Sequence, residues 1–430
     1  MQINEYRNEL LSESVYCARH SSGLEIRVLP QSDAQGAYAL FAVKYGSIDT
    51  SVPDLNGSYK PIPEGTAHFL EHKLFESEDL DAFERFAKTG AQANAYTSFE
   101  QTAYLFKGSE NIMKSLDILL DFVQKPYFTK QTVEKEQGII GQEIVMYNDV
   151  ADWVVMFNLL KALYVKHPVK IDIAGTVQSI AQIDDKLLYD LYNTYYNPSN
   201  MCLCVVGNVD KDEIFEKVEN SIIRSGAKVP QREIFKEPEE VCQNYIEKRL
   251  PVNQSQFLFG IKEQALFDKN EGSQEVSLSD ELAGQMLLEI LAGSSSPLFK
   301  KLVENDLTDM NFSTEYFCGT GYSAFLFGGI SRQPQKAVQM IKQEIENTKK
   351  NGIDKAAFER AKRKMYGNFV MNYNEQDSIA ALLISLHFTG YEPFAEMHEC
   401  KNMTLEKVTQ RLNALNLEYS ALSVVMPQSD

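Results

Sequence analysis

The chain has 430 residues, a hydrophobic share of 44%, a charged share of 24% and a formal net charge of −18. This length is too great for one ordinary hydrophobic core and predicts two domains of about 200 residues each. The acidic balance argues against nucleic acid and anionic membranes as partners, because like charges repel. No stretch reaches the run of about eighteen apolar residues that a membrane span needs, so no membrane association is expected.

The N-terminal segment and the cysteines indicate the compartment. Residues 1–30 lack a basic segment followed by an apolar run and a small-residue cleavage site, so no secretory signal is predicted. The cysteines are scattered, and only Cys202 and Cys204 lie close together, on one face of a predicted strand. We expect buried, reduced thiols and therefore a cytoplasmic protein.

The two halves of the chain follow the same plan. Each begins with short β-type runs separated by polar turn residues, continues with a helix candidate, and closes with a strand-like run after a helical stretch. The paired segments are residues 23–47 and 244–263 for the opening strands, 66–76 and 277–293 for the helices, and 197–210 and 416–430 for the closing strands. This repeat predicts a duplicated domain.

A segment rich in proline and charge separates the halves. Residues 225–241 show no sustained periodicity and are predicted to form an exposed linker. The expected division is therefore a first domain over 1–224 and a second, similar domain over 242–430. We predict an α+β fold in which each domain is an antiparallel sheet with helices packed on one face.

One predicted helix in the first half carries a metal-binding pattern. His68 and His72 are four residues apart and therefore share a helix face, with Glu71 beside them. Thr66 is a candidate N-cap of this helix. The order H-x-x-E-H reverses the more common H-E-x-x-H motif of zinc peptidases. The alternative interpretation is a pair of solvated or structural histidines on an ordinary amphipathic helix.

A second helical stretch offers a further ligand. Catalytic zinc takes three protein ligands and keeps one open position, so two histidines need a partner. Residues 133–149 contain Glu136 and Glu143, which are two helical turns apart and share a face, while the isoleucines at 139, 140 and 144 are expected to anchor the helix. The alternative is a solvent-exposed acidic face.

Several segments together resemble a known family. They are KYGSIDT (44–50), GTAHFLEHKLFE (65–76), GAQANAYTSFEQTAY (90–104), EKEQGIIGQEIVMYND (134–149) and NPSNMCLCVVGNVD (197–210). In these segments the chain resembles the pitrilysin/insulysin family of inverted-motif zinc peptidases, in the short-subunit branch that includes mitochondrial processing peptidase, and is most similar to bacterial YmfH-type members. The resemblance spans nearly the whole chain and implies two similar α+β domains.

The resemblance also implies roles for individual residues. It makes His68, His72 and Glu143 the ligands of Zn²⁺ and Glu71 the general base. Glu136 is implied to support a ligand imidazole. The strand residues Asn94, Ala95 and Tyr96 are implied to pair with the backbone of a peptide substrate. The function that follows is zinc-dependent endopeptidase; the alternative is a non-catalytic family member that acts as a scaffold or peptide-binding subunit.

The second half departs from the family pattern. Active members carry an arginine and a tyrosine there that bind substrate and the developing oxyanion, but Val303 and Met310 stand near those positions in this chain. Neither side chain donates a hydrogen bond. The sequence therefore predicts that a related second subunit supplies the missing donors in a clamshell heterodimer, with a homodimer as the alternative.

Overall fold

The structure is a computed structural model that describes residues 1–53, 58–263 and 274–428. The last two residues of the closing segment 416–430 lie outside these ranges. The chain divides into two compact units, neither of which is continuous in sequence. The first unit comprises Met1–Ile144, Asp172–Glu233 and Val370–Ala395, and the second comprises Val145–Ile171, Ile234–Phe369 and Glu396–Asp430.

The secondary structure elements repeat a strand-and-helix pattern in each half of the chain. In the first half they are β1 (Ile3–Asn8), β2 (Glu13–Arg19), β3 (Glu25–Pro30), β4 (Ala37–Val43), β5 (Ser51–Pro53), β6 (Tyr59–Pro61), α1 (Thr66–Leu74), α2 (Ala82–Ala87), β7 (Gln92–Thr97), β8 (Thr102–Gly108), α3 (Ile112–Gln124), α4 (Lys130–Tyr147), α5 (Ala151–Leu163), α6 (Val177–Ile180), α7 (Asp185–Tyr195), β9 (Met201–Gly207) and α8 (Lys211–Ser221). In the second half they are β10 (Tyr245–Leu250), β11 (Gln256–Lys262), α9 (Leu278–Ala292), α10 (Pro297–Glu304), β12 (Ser313–Gly319), β13 (Tyr322–Ile330), α11 (Pro334–Asn351), α12 (Lys355–Asn372), α13 (Gln376–Phe388), α14 (Ala395–Asn402), α15 (Leu405–Ala414) and β14 (Ser420–Pro427).

Each unit is built on one large sheet. Among the described residues, the strand order is β1-β2-β3-β9-β4-β8-β7 in the first unit and β10-β14-β11-β13-β12 in the second. The expected α+β class is confirmed, but the sheets are not purely antiparallel. Strands β3 and β9 pair in parallel, and so do β10 and β14. The alternation of apolar residues reports which face of a strand is buried and carries no information on strand direction.

The central strands are covered on both faces, which corrects the expectation of helices on one face only. Strands β4 and β9 are buried along their whole length. Alternate residues such as Phe41 and Leu203 join the main core with helices α3 and α8. On the opposite face of β3, Arg27 donates hydrogen bonds to the carbonyl oxygens of Leu383 in α13, at 2.8 Å, and of Tyr391, at 3.1 Å. A helix from the second half of the chain therefore covers this face.

The second unit receives a helix in the same way from the first half. Helix α5 packs against β10, β11 and β14. Its residues Val154 and Val155 form a buried cluster with Leu250 and Val425. The two halves of the chain thus exchange helices, so the compact units do not coincide with the continuous ranges 1–224 and 242–430 expected from the sequence.

The segment 225–241 contains no helix or strand, and the changeover between the units falls inside it. It is anchored more firmly than an exposed linker would be. Glu237 is 6% exposed, and its carboxylate accepts hydrogen bonds of 2.7 Å from the amides of Val165, Lys166 and His167. The Lys262 ammonium lies 2.6 Å from the same carboxylate.

No helix in the described ranges has the length and apolar content needed to cross a bilayer. All six cysteines lie within those ranges and none of them forms a disulfide; Cys202 and Cys204 are buried as expected, whereas Cys242 is exposed.

Candidate metal centre

Helix α1 is fixed in place by a close backbone contact at its start. The residue before the helix, Gly65, has φ +85°, and a Cβ there would lie 2.4 Å from the carbonyl oxygen of Ala174. Only glycine fits this position without strain. The N-cap predicted at Thr66 is wrong: Gly65 occupies the cap position, and the Thr66 hydroxyl instead donates to the carbonyl oxygen of Pro63 at 2.5 Å. Nearly all of α1 is buried, which fixes the direction of its side chains.

The two histidines of α1 face a common point, as their spacing predicts. The ring centroids of His68 and His72 are 4.5 Å apart, with an angle of 62° between the ring planes. Glu143 on α4 faces the same point: one carboxylate oxygen lies 3.8 Å from Nε2 of His68, and the other lies 3.6 Å from Nε2 of His72. The ligand atoms of the three residues all lie within 4.8 Å of one another.

These distances fit a shared zinc ion better than direct hydrogen bonds. Both separations between Glu143 and an imidazole exceed the usual limit of a hydrogen bond, about 3.2 Å. Ligands held about 2.05 Å from one ion in a tetrahedron are about 3.4 Å apart. The two Glu143–imidazole separations are a few tenths of an ångström longer than that, and one carboxylate and two imidazoles are the donor set of a known class of catalytic zinc site.

Glu136 lies on α4, one helical turn before the buried Ile140, and it supports His72. It is 7% exposed, and its carboxylate lies 3.0 Å from Nδ1 of His72. Burial lowers the pKa of His72, but this hydrogen bond and the nearby carboxylates outweigh it and raise that pKa above its ordinary value. Glu136 thereby favours the tautomer with the proton on Nδ1, in which the unprotonated Nε2 faces Glu143. Of the predicted anchor residues of α4, Ile140 is buried, whereas Ile139 is 45% exposed.

His68 lies deeper than His72. Burial, with a smaller contribution from His72, lowers the pKa of His68 to about 3. The neutral imidazole is the form that binds a metal ion. Within the described ranges, the buried Nδ1 of His68 has no hydrogen-bond partner.

Glu71 stands beside the three candidate ligands and is 8% exposed. Its Oε2 accepts a hydrogen bond of 2.6 Å from the hydroxyl of Thr97, the last residue of β7. Burial raises the pKa of the Glu71 carboxyl, and the Thr97 hydrogen bond only partly offsets this effect. Thr97 was not predicted from the sequence as a functional residue, although it directly follows the predicted substrate-binding residues. A hydroxyl one residue beyond Tyr96 is a weak signal without knowledge of what faces it.

Strand β7 forms the free edge of the first sheet among its described strands. Asn94 and Ala95 lie on this strand opposite Leu105 and Tyr104 of β8. The amide of Ala95 donates to the side-chain oxygen of Asn94 at 2.9 Å. The hydroxyl of Tyr96 accepts from Gln101 at 3.2 Å. The edge strand therefore brings the three predicted substrate-binding residues to one border of the sheet, and it ends at the residue that contacts Glu71.

The two departures of the second half lie in or just after α10. Val303 belongs to the last turn of that helix and is partly exposed. Met310 follows it in the connection to β12 and is 72% exposed.

Comparisons with known proteins identify the family of the chain. The family model described as "Insulinase (Peptidase family M16)" matches residues 57–177, and that described as "Peptidase M16 inactive domain" matches residues 182–365. The Bacillus subtilis protein named "Uncharacterized zinc protease YmfH" is 40% identical over 410 residues, which cover 94% of this chain and 95% of that protein. A crystal structure titled "putative M16-like peptidase", from Alicyclobacillus acidocaldarius, has a TM-score of 0.90 at 34% identity and covers 97% of this chain and 99% of its own.

A shorter match extends to eukaryotes. The mitochondrial-processing peptidase subunit beta of Bos taurus is 33% identical over 157 residues, which cover 35% of this chain and 32% of that protein. This chain therefore belongs to the insulinase family, peptidase family M16, in the short-subunit form of the pitrilysin-like fold.

Proposed function

We propose that this chain is a zinc-dependent endopeptidase that hydrolyses peptides or unfolded segments, and that His68, His72 and Glu143 hold the zinc ion. The convergence of their ligand atoms within 4.8 Å carries this proposal. The Bacillus subtilis relative, which is named as a zinc protease, supports it.

The chemistry divides between the metal and the chain's own residues. A zinc ion held by His68, His72 and Glu143 would supply Lewis-acid polarisation of the scissile carbonyl and of the attacking water, and would lower the pKa of that water toward about 7. Glu71 accepts a proton from that water and returns it to the nitrogen of the leaving amine. Thr97 holds Oε2 of Glu71, which leaves Oε1 available to take the proton. Glu136 keeps the His72 ring in its orientation through Nδ1.

The free edge of β7 suits an extended peptide. A peptide that pairs with Asn94, Ala95 and Tyr96 extends the sheet by one strand and gains main-chain hydrogen bonds that do not depend on its sequence. In that arrangement a carbonyl oxygen of the substrate backbone replaces the Asn94 side-chain oxygen as the acceptor of the hydrogen bond from the Ala95 amide. The strand leads directly to Thr97, so a paired peptide would run toward the carboxylate that activates water.

We also propose that a related second subunit completes the site. Val303 and Met310 offer no side-chain hydrogen-bond donor for the developing oxyanion, and one such donor is worth about 3 kcal/mol of transition-state stabilisation. The chain mixed with a related chain of similar length from the same organism should therefore cleave peptides at least about 100-fold faster than the chain alone. Equal rates for the single chain and the mixture would contradict the heterodimer.

We propose a cytoplasmic location, because none of the cysteines, all of which lie within the described ranges, forms a disulfide and most of them are buried. Fractionation of the host cell tests this location. Recovery of the protein outside the cytoplasmic fraction would contradict it.

The central test combines zinc content with turnover of a mixed peptide library. The wild-type chain should bind one zinc per chain, and Glu71→Gln should keep the zinc while the turnover number falls by about 10²- to 10⁴-fold. Glu134→Gln is the matched control, because Glu134 lies on α4 with 62% of its side chain exposed. Stoichiometric zinc without any effect of Glu71→Gln would favour the non-catalytic scaffold. Absence of bound zinc would refute the metal site.

A further inference from the structure

Three residues of the segment between the two halves are bonded to loops near the candidate metal centre. We call residues 231–233 the strap. The Ser51 hydroxyl donates to the carboxylate of Glu233 at 2.5 Å, and the Tyr59 hydroxyl donates to the carbonyl oxygen of Gln231 at 3.1 Å. The strap is therefore attached to the hairpin formed by β5 and β6.

Arg232, at the centre of the strap, joins two further loops. Its Nε and one terminal nitrogen donate to the two carboxylate oxygens of Asp49, at 2.8 and 3.1 Å. The guanidinium also donates to the carboxylate of Glu100, and to the carbonyl oxygen of Glu100 at 2.6 Å. The side chain of Asp49 is 2% exposed and that of Arg232 is 17% exposed, so water screens this contact little.

The two loops that Arg232 joins also contact each other directly. The amides of Ser47 and Ile48 donate to the carbonyl oxygens of Ser98 and Phe99, at 3.0 and 3.1 Å. A Cβ at Gly46 would lie 2.4 Å from the carbonyl oxygen of Phe99, so the backbones approach as closely as glycine permits. Residues 45–49 therefore lie flat against the turn 98–101.

The turn 98–101 connects β7 to β8 and begins one residue after Thr97. Its first amide, that of Ser98, donates to the carbonyl oxygen of Gln101 at 2.8 Å. Displacement of the turn would move Thr97, whose hydroxyl holds Glu71 at 2.6 Å, together with the edge strand proposed to pair with substrate.

We propose that Arg232 is a positioning residue for the peptidase reaction: its guanidinium fixes the turn 98–101 against the loop 45–49 and so sets the position of Thr97 and of the end of β7. The effect of Arg232 on peptidase kinetics rests on the proposed function, whereas its effect on the position of the turn 98–101 does not.

The guanidinium is suited to this task because it is planar and presents several donors at once. It binds the Asp49 carboxylate through two nitrogens and still reaches both the side chain and the backbone of Glu100. A lysine ammonium keeps the charge but is a single point and cannot reproduce this fork. Arg232→Lys therefore separates the role of charge from the role of geometry.

Amide hydrogen exchange followed by mass spectrometry tests the structural consequence without any activity measurement. In Arg232→Lys, peptides that contain Ile48 and Ser98 should exchange roughly five- to tenfold faster than in the wild type, because their hydrogen bonds open more often. Peptides from β4 and β9 should be unchanged. The double variant Asp49→Asn with Arg232→Met serves as a second probe. It leaves no buried unpaired carboxylate at position 49, so we expect it to fold even if the single Arg232→Met variant does not.

Peptidase kinetics test the consequence for the reaction. Arg232→Lys should lower kcat/KM for an extended peptide by roughly tenfold or more, with KM raised as well as kcat reduced, because a small displacement of a positioned strand affects both binding and alignment. Zinc content should stay at the wild-type level, because the candidate ligands lie on α1 and α4. Arg27→Lys is the matched control: Arg27 is 4% exposed in the same unit but binds carbonyl groups on the other face of the sheet. It should lower the melting temperature and leave KM unchanged.

Wild-type exchange at Ile48 and Ser98 in both strap variants would overturn the proposal. An equal rise in KM for Arg27→Lys would also overturn it, because the effect would then be general destabilisation. If no variant and no wild-type preparation cleaves peptides, the proposed function fails, and the exchange result still decides the role of Arg232.

Discussion

The support that Glu136 gives to His72 yields a quantitative prediction for zinc affinity. The carboxylate is 7% exposed and lies 3.0 Å from Nδ1 of the ring, so this is a buried, charge-assisted hydrogen bond. Such bonds contribute about 1.5–3 kcal/mol, against about 0.5–1.5 kcal/mol for a neutral pair. Glu136→Gln keeps an acceptor oxygen but removes the charge, which is a loss of about 1–1.5 kcal/mol. This corresponds to zinc binding weakened by about 5- to 12-fold.

Glu136→Ala should be more severe, because the N–H of Nδ1 then has no acceptor at all. Removal of such a partner typically weakens metal binding by about 10- to 100-fold. The assay is competition for zinc against a chromophoric chelator at neutral pH, with circular dichroism to confirm that each variant is folded. Glu134→Gln, on the exposed side of the same helix, should bind zinc like the wild type.

Two results would refute this reasoning. Glu136→Gln with wild-type affinity would mean that the hydrogen bond to His72 does not support the metal. Equal losses in Glu136→Gln and Glu134→Gln would mean that only the net charge of α4 matters.

Three further predictions concern the base, the anchored segment and the start of α1. Thr97→Val removes the hydroxyl that holds Glu71 at 2.6 Å, so kcat should fall roughly tenfold while zinc content, measured by atomic absorption, is retained. Glu237→Gln should lower the unfolding free energy by about 3 kcal/mol at pH 7, because it breaks a buried ion pair. Burial alone would raise the pKa of Glu237, but the Lys262 ammonium and the backbone amides outweigh it and hold that pKa below its ordinary 4.5. The stabilisation is therefore complete above pH 4.5 and is lost as the pH falls through the lower pKa of the folded state. Urea unfolding across that range should show the difference in unfolding free energy between wild type and variant shrinking, and a constant difference would contradict a stabilising role for the Glu237 charge. Gly65→Ala should lower the melting temperature far more than Gly90→Ala, because both have positive φ but a Cβ at Gly90 meets nothing within 4 Å; equal losses in a thermal scan would contradict the close contact.

Much of the candidate metal centre could be predicted from the sequence, because it depends on helical periodicity. A separation of four positions between His68 and His72 is enough to place both rings on one face, and a separation of seven positions between Glu136 and Glu143 does the same for the carboxylates. What the periodicity could not decide was whether the two helices meet. That depends on the packing of α1 and α4 in the core of the first unit, where the 4.8 Å convergence arises.

The contacts that extend the site were beyond sequence reasoning, because they join residues far apart in the chain. Thr97 and Glu71 are 26 positions apart, and Arg232 and Asp49 are 183 apart. Nothing in the local composition of 225–241 distinguishes a strap from an exposed linker, since an arginine among charged residues is usually solvated.

The sequence by itself determined the helical register of the metal-binding residues, the family and the repeated α+β plan, because each of these is written in local spacing and composition. Only the tertiary structure decided the parallel strand pairs, the exchange of α5 and α13 between the two halves of the chain, and the burial of β9 along its whole length. Hydrophobic periodicity predicts that a surface will be buried, but which element buries it depends on the packing of the whole chain.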